Sequence, residues 1–141
     1  MTVQELNISG FATRFRNALA DVLSDLKYVP PPFAHFPRGS CGIASDMLGS
    51  ILNEKLEAQA LYISATHRIE NTSHAWLHYD GIVIDVTGDQ FPGRPSVYVG
   101  QPDRWFDLWK VDRSAPRLAE YIYGYDMDCN RIYERLSQMV G

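Results

Sequence analysis

Cys41, His74 and Asp85 have the residue types and the chain order of a nucleophilic site. A thiolate attacks a carbonyl carbon, an imidazole moves the proton, and a carboxylate orients the imidazole. His74 and Asp85 fall in the stretch from Ser73 to Thr87, which reads as two strands joined by a tight Asp80-Gly81 turn. A two-residue turn pairs Tyr79 with Ile82, His78 with Val83, Trp76 with Asp85 and His74 with Thr87. Alternation then places Ala75, Leu77, Tyr79, Ile82, Ile84 and Val86 on one apolar face. His74, Trp76, His78, Val83, Asp85 and Thr87 share the other. There His74 and Asp85 are diagonal neighbours, with Cβ atoms roughly 7 Å apart or less. His78 is diagonal to Asp85 as well, so the pattern alone leaves two histidines for one carboxylate. Trp76, opposite Asp85, is expected to wall the site.

Cys41 follows Arg38-Gly39-Ser40, at the end of a proline-punctuated run from Pro30 that is expected to be irregular. From Ile43 onward, Ile43, Met47, Leu48, Ile51, Leu52 and Leu56 recur at helical spacing. Ser40 suits an N-cap, which makes Cys41 the first helical residue. Free N–H groups and the helix dipole favour a thiolate there, and Arg38 adds positive charge. Backbone N–H groups around Ser40, Cys41 and Gly42 can also receive an oxyanion.

A cysteine opening a helix, a His-Ala-Trp strand and an aspartate on the next strand resemble the transglutaminase-like branch of the papain-like cysteine hydrolases. The likeness runs from about Phe36 to Phe91, about two fifths of the chain. It implies Cys41 as nucleophile, His74 rather than His78 as general base, and Asp85 as the orienting residue. It also implies that Gly88-Asp89-Gln90-Phe91 lines the site, with Gln90 contacting substrate or oxyanion. Papain-type enzymes carry a glutamine shortly before the cysteine; Arg38, Gly39 and Ser40 occupy that stretch here. The Arg-Gly-x-Cys pattern is similar to that of arylamine N-acetyltransferases, whose chains are about twice as long.

These residues need a scaffold, and the remaining pattern supplies an α+β one. Phe11, Phe15, Leu19, Val22 and Leu26 form a helical stripe, with Thr2 and Glu5 placed as a capping box. Residues 58–69 read as a strand pairing with the His74 strand. A loop from Gly88 to Pro95 and a short strand from Ser96 to Val99 follow the hairpin. Ser114-Ala115-Pro116 is expected to open a last helix with the stripe Leu118, Ile122, Tyr125, Cys129, Ile132 and Leu136, which Gly124 weakens. The expected architecture is a small antiparallel sheet packed against the nucleophile helix and the N- and C-terminal helices. The resemblance makes this one papain-like/transglutaminase-like domain over residues 1–141.

The chain has 141 residues and net charge −4, with no basic stripe of the kind nucleic acid requires. No apolar run approaches the roughly 20 residues of a membrane span, and the N-terminus lacks a signal-peptide pattern. Its two cysteines offer no disulfide framework, so a cytoplasmic location is expected. Asp126-x-Asp128-x-Asn130 imitates a calcium loop, but Arg131 and Ser137 stand where glycine and glutamate are needed. His74 and His78 would lie about 13 Å apart on a strand, too far to share zinc. The expected chemistry uses no metal or cofactor. Its substrate is a peptide or protein amide, cleaved through a thioester, and an amine acceptor would instead give a transglutaminase or acyltransferase. A competing reading is a non-catalytic interaction module, in which an exposed aromatic stretch, Trp105 to Trp109, forms a protein-partner surface or a pocket rim.

Overall fold

The computed structural model describes residues 2–116 and 125–140. Helix α1 spans Val3–Asp25, and the Thr2 hydroxyl accepts the Glu5 N–H at 3.0 Å. Its stripe of Phe11, Phe15, Leu19 and Val22 is buried, as periodicity requires. Helix α2 spans Cys41–Lys55, and every residue from Ile43 to Leu52 is buried. An amphipathic stripe was the expectation; α2 is instead enclosed on all sides and forms the axis of the core. Helix α3, Met127–Val140, buries Cys129, Ile132 and Leu136. Asp126 accepts the Cys129 N–H at 2.8 Å, so the carboxylate that imitates a calcium ligand caps this helix.

Five strands form one antiparallel sheet: β1 Leu61–His67, β2 Ser73–Tyr79, β3 Ile82–Asp85, β4 Tyr98–Gly100 and β5 Trp109–Pro116. Their order is β4-β3-β2-β1-β5. The β2–β3 register pairs Tyr79 with Ile82 and His78 with Val83. Asp80 and Gly81 both have positive φ, 49° and 81°, the tight-turn conformation that Asp-Gly favours. One face of the sheet carries Leu77, Ile82, Ile84 and Val86 into the main core, beneath the three helices. The opposite face carries Ile63, Ala65, Trp76 and Val83 into a second cluster closed by Phe106 and Trp109. Among the described residues, no helix is long and apolar enough to cross a membrane.

Three expected elements differ. Within the proline-rich run, Pro31–Phe33 forms a 3₁₀ turn, where proline near the start of a turn sacrifices no needed donor. The strand expected at Ser96–Val99 lies at Tyr98–Gly100. Ser114-Ala115-Pro116 does not open a helix; it ends β5, with Pro116 opposite Leu61. Pairing with β1 overrides the local helix-start signal, and proline at an edge-strand end costs little. Leu118, Ile122 and Gly124 lie outside the described residues.

Helix α2 approaches the sheet at Gly49, where a Cβ would stand 3.1 Å from Leu77 Cδ2. This close approach sets the height of Cys41 above β2. Gly49→Val should therefore overpack the α2–β2 contact and destabilise the protein by about 1–3 kcal/mol. Urea unfolding checks it: an unchanged midpoint would mean that the helix does not rest on Leu77.

Candidate active site

His74 and Asp85 are buried almost completely, with side chains 0% and 1% exposed. His74 Nε2 lies 2.8 Å from Asp85 Oδ2, and Asp85 Oδ1 accepts the Thr87 N–H at 3.1 Å. Both carboxylate oxygens are thus engaged, one by the imidazole and one by backbone. Asp85 as acceptor sets the proton on Nε2 and turns Nδ1 the other way. His78 stands opposite Val83, half-buried and away from this contact, so the diagonal ambiguity resolves to His74.

Nδ1 faces two groups. Gln90 Nε2 lies 3.1 Å from it, and the Cys41 side chain, which hydrogen-bonds His74, is left this nitrogen because Nε2 is taken by Asp85. Cys41 is the first residue of α2, half-buried, and the first helical hydrogen bond runs from Ala44 N–H to the Ser40 carbonyl at 2.9 Å. The N–H groups of Cys41, Gly42 and Ile43 therefore precede the helical ladder, and no side chain caps them. The Cys41 sulfur also accepts a hydrogen bond from the backbone N–H of Ala75.

Burial by itself pushes the Cys41 thiol up, but the hydrogen bond and charge of His74, with the Ala75 N–H and Gln90, outweigh it and leave the thiol pKa lowered. Burial likewise opposes a charged His74, yet hydrogen bonds and charge from Asp85 and Cys41 raise its pKa to about 9. The two shifts favour the same state, a thiolate beside an imidazolium. Cys129 shows the opposite environment: burial and the carboxylates of Asp126 and Asp128 push its thiol up to about 12.

Aromatic rings enclose the imidazole. Phe91 stands edge-on to it at 4.9 Å between centroids, with Trp76 and Trp109 at 5.6 Å and Trp105 at 5.8 Å. Rings at this range exclude water and present π-density to a cation. The site's low polarity strengthens the His74–Asp85 bond.

The site residues expected from sequence fall into two groups. Cys41, His74, Asp85 and Gln90 meet. Ser40 does not act as a cap: it is buried, and its hydroxyl donates to the Pro32 carbonyl at 2.8 Å, fastening the proline turn beneath Cys41. Gly42 lies beside the Tyr62 hydroxyl, which a Cβ would meet at 3.2 Å. Trp76 is a wall, buried behind the imidazole and packed on Phe106 and Trp109. Arg38 is exposed and is not among the groups that stabilise the thiolate. The stretch from Trp105 to Trp109 is not an exposed aromatic surface: Phe106 and Trp109 are buried and Trp105 is half-buried. Its 3₁₀ turn, Arg104–Leu108, folds these rings inward over the sheet. Sequence reasoning named Trp109 in an aromatic stretch but missed its contact with His74, and it missed the Ala75 N–H; the indole's place is visible only once β5 is seen as a strand.

No family model, curated protein or solved structure matches this chain.

The opposed shifts fix the sign of a pH effect. In the folded pair the thiol gives up its proton at lower pH than in the unfolded chain, while His74 keeps its proton to higher pH. As pH falls, the unfolded thiol is protonated before the folded one, so the stability carried by the lowered thiol is lost as pH drops through its folded value. Above about pH 8.5 the unfolded thiol releases its proton while His74 keeps one up to about 9. The pair's contribution is therefore lost on the acid side as the folded thiol is protonated and on the alkaline side as His74 titrates near 9. Alkylation of Cys41 by iodoacetamide should persist to lower pH than that of an ordinary thiol, slow sharply in His74→Ala, and leave Cys129 unmodified. Site-resolved mass spectrometry across pH checks this; an ordinary thiol titration near 8.5 at Cys41 would rule out the ion pair.

Proposed function

We propose that this protein is a cysteine-dependent hydrolase of papain-like, transglutaminase-like type that cleaves a peptide or side-chain amide through a thioester. The observation that carries this reading is the buried imidazole joined at Nε2 to Asp85 and facing Cys41 and Gln90 at Nδ1. A structural histidine needs one partner; this one has a carboxylate on one nitrogen and a thiol on the other.

In the first step the Cys41 thiolate attacks the amide carbon, and the carbonyl oxygen becomes an oxyanion. The N–H groups at the start of α2 and the Gln90 carboxamide receive that charge, each good donor contributing perhaps 3 kcal/mol. The tetrahedral intermediate collapses as the C–N bond breaks, and His74 delivers its Nδ1 proton to the departing amine. The neutral imidazole then removes a proton from water, whose oxygen attacks the thioester carbonyl. Loss of the thiolate leaves a carboxylic acid and restores the Cys41–His74 pair. Asp85 keeps the ring in one tautomer throughout and stabilises its charged form.

An activated ester tests this without knowledge of the natural amide. p-Nitrophenyl acetate should acetylate Cys41 with a burst of nitrophenolate, and water should then release acetate. Cys41→Ala should abolish the burst, His74→Ala should slow it by about 10²–10⁴-fold, and Gln90→Ala by about 10²-fold. Acetylation that is indifferent to His74, or that maps elsewhere, would sink the proposal.

A further inference from the structure

Gln90 is useful only if its carboxamide stays over Cys41 and His74; it touches His74 Nδ1 at 3.1 Å, and its other restraints are local to its own turn. Its Nε2 reaches the Thr87 hydroxyl at 3.4 Å, and its backbone N–H reaches the Thr87 carbonyl at 3.2 Å. The short turn that carries it, Gly88–Gln90, is gripped from outside by Arg16 of α1. Arg16 donates to both carboxylate oxygens of Asp89, Nη1 to Oδ1 and Nη2 to Oδ2, each at 2.8 Å. Nη1 also donates to the Val86 carbonyl at 2.8 Å. One guanidinium therefore holds the chain on both sides of Thr87, the residue that hydrogen-bonds Asp85. Its Cζ lies over the Phe36 ring, 4.6 Å from the centroid, in the loop that leads into Cys41.

Arg16 pays for this position with desolvation. Its side chain is 12% exposed, against 30% for Asp89. It shares a helix face with Ala12 and Leu19, both 0% exposed, where a charge requires a specific partner. A planar two-point fork meets that requirement and fixes the carboxylate in direction as well as distance, which a lysine cannot do.

We infer that Arg16 is a positioning residue of the site: paired with Asp89 and stacked on Phe36, it locks the Gly88–Gln90 turn against the Cys41 loop and so aims the Gln90 carboxamide. This rests on the thioester reading above and extends it to residues that touch no reacting atom. Displacing a group by about 1 Å can cost about 10²-fold in rate, so loosening this clamp should act on the chemistry while the fold persists.

The test compares Cys41 acetylation rates by p-nitrophenyl acetate in the full chain and in Arg16→Lys, Asp89→Asn, Gln90→Ala and the double variant Arg16→Lys/Gln90→Ala. Protection of the buried Cys129 from iodoacetamide reports folding in each sample. Arg16→Lys should slow acetylation by about 10- to 100-fold, with Asp89→Asn in the same direction. The double variant should be no slower than Gln90→Ala, because the clamp works through that side chain. A wild-type rate in Arg16→Lys, or losses that multiply in the double variant, would overturn the positioning role while leaving the thioester mechanism standing. Should Arg16→Lys expose Cys129, Asp89→Asn decides the matter alone, and a wild-type rate there overturns the inference. Wild-type protein that takes no acetyl group at Cys41 would instead remove both readings together.

Discussion

A carboxylate and an imidazole buried 2.8 Å apart impose the heaviest constraint on this fold. Neither group tolerates removal from water without a partner, and breaking such a pair leaves an uncompensated buried charge. The surroundings follow from that requirement. Thr87 supplies an N–H to the second carboxylate oxygen, and four aromatic rings close over the imidazole. The ring nitrogen left over has to be satisfied too, and the Cys41 sulfur is brought to it, with Gln90 beside both.

Comparison of the two cysteines shows how far environment decides what a thiol does. Cys129 is fully buried inside α3 near two carboxylates, which disfavour its ionised form. Cys41 is also desolvated, but an imidazolium, a backbone N–H and a carboxamide meet its sulfur. Burial acts in the same direction on both. The difference lies in what faces the sulfur, which is a property of the fold and not of the residue.

The hairpin was readable from sequence because its signals are local: an Asp-Gly turn, strict alternation and a register that follows from turn length. That register was enough to place His74 against Asp85 and to separate the core face from the site face. The start of α2 was also readable, although the reason offered for it was not right: Ser40 suits a cap by type, yet its hydroxyl serves Pro32. Longer-range features were not legible. β5 looks like charged coil because Lys110, Asp112 and Arg113 protect an exposed edge, and without β5 nothing brings Trp109 to His74. Arg16 left a faint trace, a lone charge between Ala12 and Leu19 on an apolar helix face, but its partner lies 73 residues away.

The site is therefore assembled from separations that no local signal spans. Cys41 arrives on a helix, His74 and Asp85 on a hairpin, and Gln90 on the turn that follows. The hairpin fixes two of these relative to each other through its backbone ladder, and Gly49 against Leu77 fixes the height of the helix above it. What the ladder cannot fix is the chain after β3, which leaves the sheet immediately beyond Asp85. Gln90 bonds back to Thr87 and across to His74, and the Arg16–Asp89 pair ties the same turn to an outside element. Helix α1 is the long rigid body packed beside that end of the sheet, and Arg16 is the side chain through which it acts. On this argument the N-terminal helix does more than cover the core: it completes the geometry that the hairpin begins.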